Sequence, residues 1–412
     1  MSQNPELVAL ATMRRNVLLL ALSQAAVMTS VSLVLASSVL IGARLASPAL
    51  STLPLAVQYL GTLLALYPMA GLIQRYGHGP VFCGGALLGA LGLALAAAGI
   101  WLGSFVLFAL AGALVGIFNA VGQAYRFAAA EAVPAERRSS AISLTLSGGV
   151  LAAMAGPSLA RWTKDALAVP FAASFLALVS VALLAAWLAT RLRLPAPAVI
   201  ASDGPVQSPS SVQPLVSLLR RADFRLAVVV GVVGYGLMNL LMTATPLAML
   251  CSHLGFAETA TVIQWHVVAM FAPSFFTGSL IQRLGVLPVM SLGGLCMLAC
   301  IVVAVNGESL AHFELALIFL GIGWNFLYVG ATARLVECCP PAQKVRVQAF
   351  NDSLIFFVIA GITFSSGGLV DHFGWWALNL YAAIPVVLVL LAIAWQWLAG
   401  LRPRSGAGSL AD

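Results

Sequence analysis

The chain has 412 residues, of which 61% are apolar and only 8% charged, with a net charge of +7 and a mean hydropathy of +1.01. A water-soluble chain carries about a quarter charged residues, so this composition excludes a soluble globular protein and requires a polytopic membrane protein. The positive balance is met by basic loops on one membrane face without any nucleic-acid partner, and the six cysteines show no even spacing that would make a disulfide framework.

Apolar runs of about 20 residues predict twelve spans, at 16–42, 50–73, 81–102, 104–127, 140–160, 167–190, 226–250, 258–281, 286–305, 310–333, 347–370 and 375–400. The first follows "RRNVLLL" but is too long for a signal-peptide core, so it reads as an uncleaved span. Between the sixth and seventh lies "RLRLPAPAVIASDGPVQSPSSVQPLVSLLRRADFR", whose proline and serine content marks a linker. The expected organisation is a six-helix half at 1–190, a cytoplasmic linker at 191–225 and a second six-helix half at 226–412.

An internal repeat relates the halves. "LIQRYGHGPV" at 72–81 matches "LIQRLGVLPV" at 280–289 in seven of ten positions, an offset of 208. The same offset aligns "VGQAYR" at 121–126 with "VGATAR" at 329–334, and Arg138 with Arg346. The basic residues orient the chain. With the N-terminus inside, 17 of the 20 Lys and Arg fall on the cytoplasmic side, and only Arg44, Arg161 and Lys164 fall outside. Both termini and the linker are therefore expected in the cytoplasm of a multi-pass protein.

Two parallel six-span halves resemble the major facilitator superfamily, over nearly the whole chain. The loop "GLIQRYGHGP" is similar to that family's G-x-x-x-D-R-x-G-R-[KR] signature: Gly71, Arg75 and Gly77 match, while Gln74 replaces the acid and His78 and Gly79 replace the basic pair. The resemblance implies an all-α fold of twelve transmembrane helices, a loop that latches the helices as conformation changes, and a substrate cavity near mid-bilayer between the halves. No P-loop, dinucleotide fingerprint or nucleophile elbow is present, so the expected activity is transport and not catalysis.

Candidate ligands for a cargo lie in spans seven and eight. "GYGLMNLLM" places Met238 and Met242 four apart, and "QWHVVAM" places His266 and Met270 four apart, so each pair shares one helix face. Counting at 1.5 Å per residue, Met242 and His266 lie roughly 24 and 22 Å above the inner boundary, and Met238 and Met270 roughly 18 and 16 Å above it. A mid-membrane His is costly without a partner or a function. Thioethers and an imidazole are soft, neutral donors that suit Cu(I). An M-x-x-x-M followed by an H-x-x-x-M in these spans resembles the bacterial CcoA-like copper importers. That resemblance implies an inner-membrane carrier supplying copper for cytochrome oxidase assembly, with copper as cargo and no bound cofactor. A related branch of the superfamily imports riboflavin. Packing is the competing account of the methionines, and an organic solute such as riboflavin or a drug would use them as an adaptable apolar wall. A third account is a non-transporting receptor for oxidase assembly.

Secondary candidates are Met249, Cys251 and His253 as an outer capture point, and Cys338 with Cys339 as a hand-over to a cytoplasmic copper chaperone. Asp352, inside span eleven, is a candidate for proton coupling or for a structural pair with Arg346 or Arg334. At the N-terminal equivalents of the four metal candidates stand Ser30, Val34, Gln58 and Thr62, and Gln58 with Tyr59 are expected in the cavity wall. Gly234 and Gly236 mark a helix that neighbours can approach closely. The fold commonly works as a lipid-embedded monomer, which is the expectation here.

Overall fold

Inside hydrocarbon every backbone polar group needs a partner within the chain, so apolar runs of this length become helices. The computed structural model describes residues 5–134, 138–194, 215–339 and 344–401. Its helices in chain order are α1 (Pro5–Leu45), α2 (Leu53–Tyr76), α3 (His78–Trp101), α4 (Phe105–Glu131), α5 (Arg138–Thr163), α6 (Ala172–Thr190), the short α7 (Leu215–Leu219), α8 (Ala222–Cys251), α9 (Phe256–Phe271), α10 (Ser274–Leu284), α11 (Val286–Val305), α12 (Leu310–Glu337) and α13 (Lys344–Leu401). No strand occurs among the described residues. Nine of these helices are long and apolar enough to cross a bilayer by themselves, with α9 and α10 together making a tenth. α13 accommodates both of the last two expected spans, which part at Gly374 (φ +74°). Most of the expected linker, residues 195–214, lies outside the described residues, as do the side chains of Arg138 and Arg346.

The repeat is visible in the packing. α1 lies along α5 as α8 lies along α13, α2 along α4 as α9 along α12, and α3 along α4 as α11 along α12. The turns Gly77 (φ +81°) and Gly285 (φ +89°) are 208 residues apart and adopt the same glycine-favouring conformation. Lipid offers no hydrophobic drive for helices to associate, so small residues that let backbones touch do this work. Gly61 abuts the Ala113 backbone; in the second set the glycine has changed helix, and Gly321 receives Ala269. Small polar side chains add the rest. Thr62 donates to the Gly116 carbonyl at 3.0 Å, Asn119 reaches Thr62, and Asn239 joins α8 to Thr363 of α13.

One element departs from expectation. The eighth span, 258–281, is not one helix but α9 and α10, bent by 42°. Pro273 has no N–H to donate and caps the new helix, so the i→i−4 ladder breaks there.

We refer to the bundle end carrying the 76–78 and 284–286 turns as the basic end. At the far end the two sets of helices meet. The Gly367 N–H donates to Thr52, Arg161 donates to Gln264 at 2.9 Å, and the Phe171 and Phe256 rings meet edge-to-face at 4.8 Å. Lys164 lies over both rings, at 5.8 and 5.4 Å. Cys251 is exposed at this end, whereas Cys300 and Cys338 are buried.

These positions allow the orientation to be read directly. A membrane-impermeant maleimide added to intact cells is expected to label the protein, and Cys251→Ser to abolish the label. Labelling that requires permeabilised cells would reverse the expected orientation.

Candidate functional site

The four residues of the methionine–histidine motifs are all buried: Met238, Met242, His266 and Met270. A Cβ on Gly234 would meet Leu327 of α12, and Met238 and Met242 follow it by one and two turns. His266 faces α12 from the other helix, its Nδ1 donating to the Leu317 carbonyl at 2.7 Å. A carbonyl only accepts, so Nδ1 carries the proton and Nε2 is a lone-pair acceptor, buried without a hydrogen-bond partner. The backbone of His266 and Met270 also closes on Gly321 of α12. Along α12, His266 is anchored at Leu317 and the Met270 carbonyl at Asn325, while Gly234, one turn before Met238, meets Leu327. The helices bearing the two pairs scarcely touch; α8 and α9 each lean on α12. Gly234 and Gly236 are points of close approach, to Leu327 and to Ile362.

The break beside Met270 is closed by a polar clasp. Asn325 of α12 donates to the Met270 carbonyl and the Ser274 hydroxyl, both at 2.7 Å, and Thr277 donates back to Asn325 at 2.7 Å. The carbonyl freed by the bend is thereby satisfied, as hydrocarbon requires.

The secondary candidates do not cluster. Met249 is buried in the bundle, while Cys251 and His253 are exposed, with His253 at φ +60°. Cys338 and Cys339 are buried together with Leu218, Phe224 and Val347. Burial pushes the Cys338 thiol pKa up, against the opposing pull of Arg334, which disfavours the thiolate that a soft metal would need. Among the described residues no group of three His, Cys, Asp or Glu is arranged to hold a metal. In the signature loop, Gly77 makes the turn, Arg75 lies over the Tyr76 ring at 5.2 Å, and Gly71 has open space around it.

Of the two expected arginines, Arg334 does not pair with Asp352, and the Arg346 side chain lies outside the described residues. The partner of Asp352 is Arg126 of α4, at 3.6 Å, so the pair crosses from one set of helices to the other. Arg334 instead pairs with Asp223 at 3.5 Å and Glu337 at 3.4 Å. Chain distance misled here: Arg126 is 226 positions away in sequence and is brought close only by the docking of α4 against α13.

Beside this pair lies an aromatic cluster. Trp324 and Tyr328, one turn apart on α12, stack at 5.1 Å with their planes 10° apart. Tyr235 of α8 meets both edge-on at 5.3 and 5.4 Å, and Phe271 approaches Trp324 at 6.1 Å. Tyr59 of α2 joins from the other set, packing with Ile355, Phe356 and Ile359 of α13. Gly149 of α5 faces the Phe271 ring. The cluster thus lies where the two sets meet, and it is closed in this conformation: Tyr59, Trp324 and Phe356 are each buried. Tyr59 was legible through the repeat. The i, i+4 spacing in "GWNFLY" was a signal for Trp324 and Tyr328, but the convergence of five helices on them was not visible in sequence.

A bundle of paired six-helix sets, with polar and aromatic groups gathered at their junction, defines a membrane carrier of the alternating-access kind. The chain belongs to the major facilitator superfamily, whose model matches residues 17–363. It is 38% identical over 396 residues to the riboflavin transporter RfnT of Brucella anthropi, covering 96% of this chain and 98% of that one. It is 30% identical over 380 residues to the uncharacterised major facilitator-type transporter YdeG of Bacillus subtilis, covering 88% of each. Its fold matches the xylose transporter XylE of E. coli in a partially occluded inward-open conformation, with a TM-score of 0.67 at 12% identity, over 97% of this chain and all of that one.

The copper-importer reading is overturned by the first of these relatives, a riboflavin transporter similar over nearly both full lengths. Its copper-chaperone and oxidase-assembly corollaries fall with it. The methionine motifs carried that reading because soft donors at helical spacing look alike in sequence, whether they bind or pack.

The clasp yields a test of the broken span. Asn325→Ala leaves the buried Met270 carbonyl unpaired, which costs about 1–3 kcal/mol. A lowered midpoint of thermal unfolding in detergent is expected; an unchanged one would mean that the bend supports itself.

Proposed function

We propose that this protein is a carrier for riboflavin or a closely similar flat heteroaromatic solute. One observation carries the reading: 38% identity over nearly the full length of both chains to a riboflavin transporter. The aromatic cluster at the junction supports it chemically. A planar tricycle binds best between rings that offer large area and few rotatable bonds, and Trp324, Tyr328, Tyr235, Phe271 and Tyr59 supply such rings from both sets of helices. In this reading Met238, Met242 and Met270 are packing residues that let helices adjust as the sets move, and His266 anchors α9 to α12.

The two six-helix sets would rock about the cluster, separating at one end while the contacts at Thr52–Gly367, Arg161–Gln264 and Phe171–Phe256 close the other. The basic loops favour cytoplasmic termini in a bacterial inner membrane, with the protein acting as a monomer.

Reconstituted protein, or a riboflavin auxotroph expressing it, is expected to accumulate labelled riboflavin. Trp324→Ala and Tyr235→Ala each remove stacking surface of about 1–3 kcal/mol and should weaken uptake by roughly ten- to a hundredfold, at unchanged protein level in the membrane. Absence of riboflavin uptake by the wild-type protein in both systems would refute the reading.

A further inference from the structure

The charged pair beside the aromatic cluster has no part in stacking, and its chemistry points to the other end of a cargo. Asp352 is one helical turn from Phe356, so the carboxylate and the apolar wall share a face of α13. Tyr328, the outer ring of the Trp324 stack, has its hydroxyl within hydrogen-bonding reach of the Arg126 guanidinium. The aromatic platform therefore runs directly into Arg126 and Asp352.

Three features mark the pair as more than a tie between helices. The separation of 3.6 Å is an ion-pair distance, longer than a direct charge-assisted hydrogen bond of about 2.7–2.9 Å. Both side chains keep partial exposure, 23% and 26%. Arg126 Nε has no hydrogen-bond partner, so the guanidinium holds donor capacity that neither Asp352 nor Tyr328 takes up. Side by side, then, stand a carboxylate that only accepts and a guanidinium that only donates.

A chain of hydroxyl groups is the ligand chemistry that satisfies both at once, because each hydroxyl donates and accepts. The pair is also internally neutral. A phosphate ester would gain Arg126 but would bring its charge against the Asp352 carboxylate in a low-dielectric setting, where like charges repel strongly.

Resting on the riboflavin reading above, we propose that Arg126 and Asp352, with Tyr328, form a polyol subsite that holds the hydroxylated chain of the cargo. The subsite makes the carrier selective for a neutral heteroaromatic bearing such a chain, over the bare ring system and over its phosphate ester.

Flavin fluorescence titration of the purified protein in detergent tests this with three probes: riboflavin, lumichrome (the ring system without the chain) and flavin mononucleotide (the phosphate ester). The wild type should bind riboflavin about tenfold or more tighter than either of the others. Asp352→Asn should weaken riboflavin about tenfold, leave lumichrome unchanged and tighten flavin mononucleotide, because the repelling carboxylate is gone while Arg126 remains. Tyr328→Phe, which keeps the ring and removes only the hydroxyl, should weaken riboflavin but not lumichrome, and it answers the question if Asp352→Asn does not fold. Equal weakening of riboflavin and lumichrome, or no change in the preference against the phosphate, would overturn the subsite and leave the pair a structural tie. A wild type that binds none of the three would instead refute the riboflavin reading itself.

Discussion

The arrangement depends on one constraint: helices in lipid associate without a hydrophobic drive, so they hold together only where their backbones come within van der Waals contact and every buried polar group finds a partner. Gly61 against Ala113, Gly321 against Ala269, and Gly234 against Leu327 set the spacing of the bundle. Thr62, Asn119, Asn239 and Asn325 spend their hydrogen bonds on neighbouring helices or on backbone freed by a bend. Where the two sets of helices face each other, Tyr59, Tyr235, Phe271, Trp324 and Tyr328 collect.

The repeat explains why the site is lopsided. Position 116 of the first set is a glycine packed against the Gln58 backbone, and its counterpart 208 residues later is Trp324. Likewise Thr62, which bonds across to α4, is matched by Met270, whose carbonyl lies at the bend in the eighth span. The same scaffold thus packs tightly in one half and carries aromatic surface in the other. Arg126 then reaches Asp352 across the junction, so each half supplies one member of the ion pair.

Much of this was readable from sequence. The charge count required a membrane protein, the 208-residue offset located equivalent turns at Gly77 and Gly285, and the apolar runs located most helices to within a few residues, although α1 begins at Pro5, well before the expected 16. The fractured eighth span was missed although Pro273 was in plain view, since proline in a membrane helix breaks it only when a neighbour such as Asn325 can take up the freed carbonyl. The cargo was misread for a related reason. Met238, Met242, His266 and Met270 have the spacing of a ligand set, but spacing reports which residues share a face of one helix and says nothing of what that face meets.

The sequence by itself determined that this chain crosses a membrane many times as helices, that its two halves are copies, and that its basic residues gather on one side, because each of these follows from local composition and periodicity. Only the tertiary structure decided that His266 is held to the Leu317 carbonyl, that Asp352 pairs with Arg126, and that rings from five helices meet at one place. Those are contacts between residues far apart in the chain, set by which helix faces dock together, and no local pattern encodes that choice.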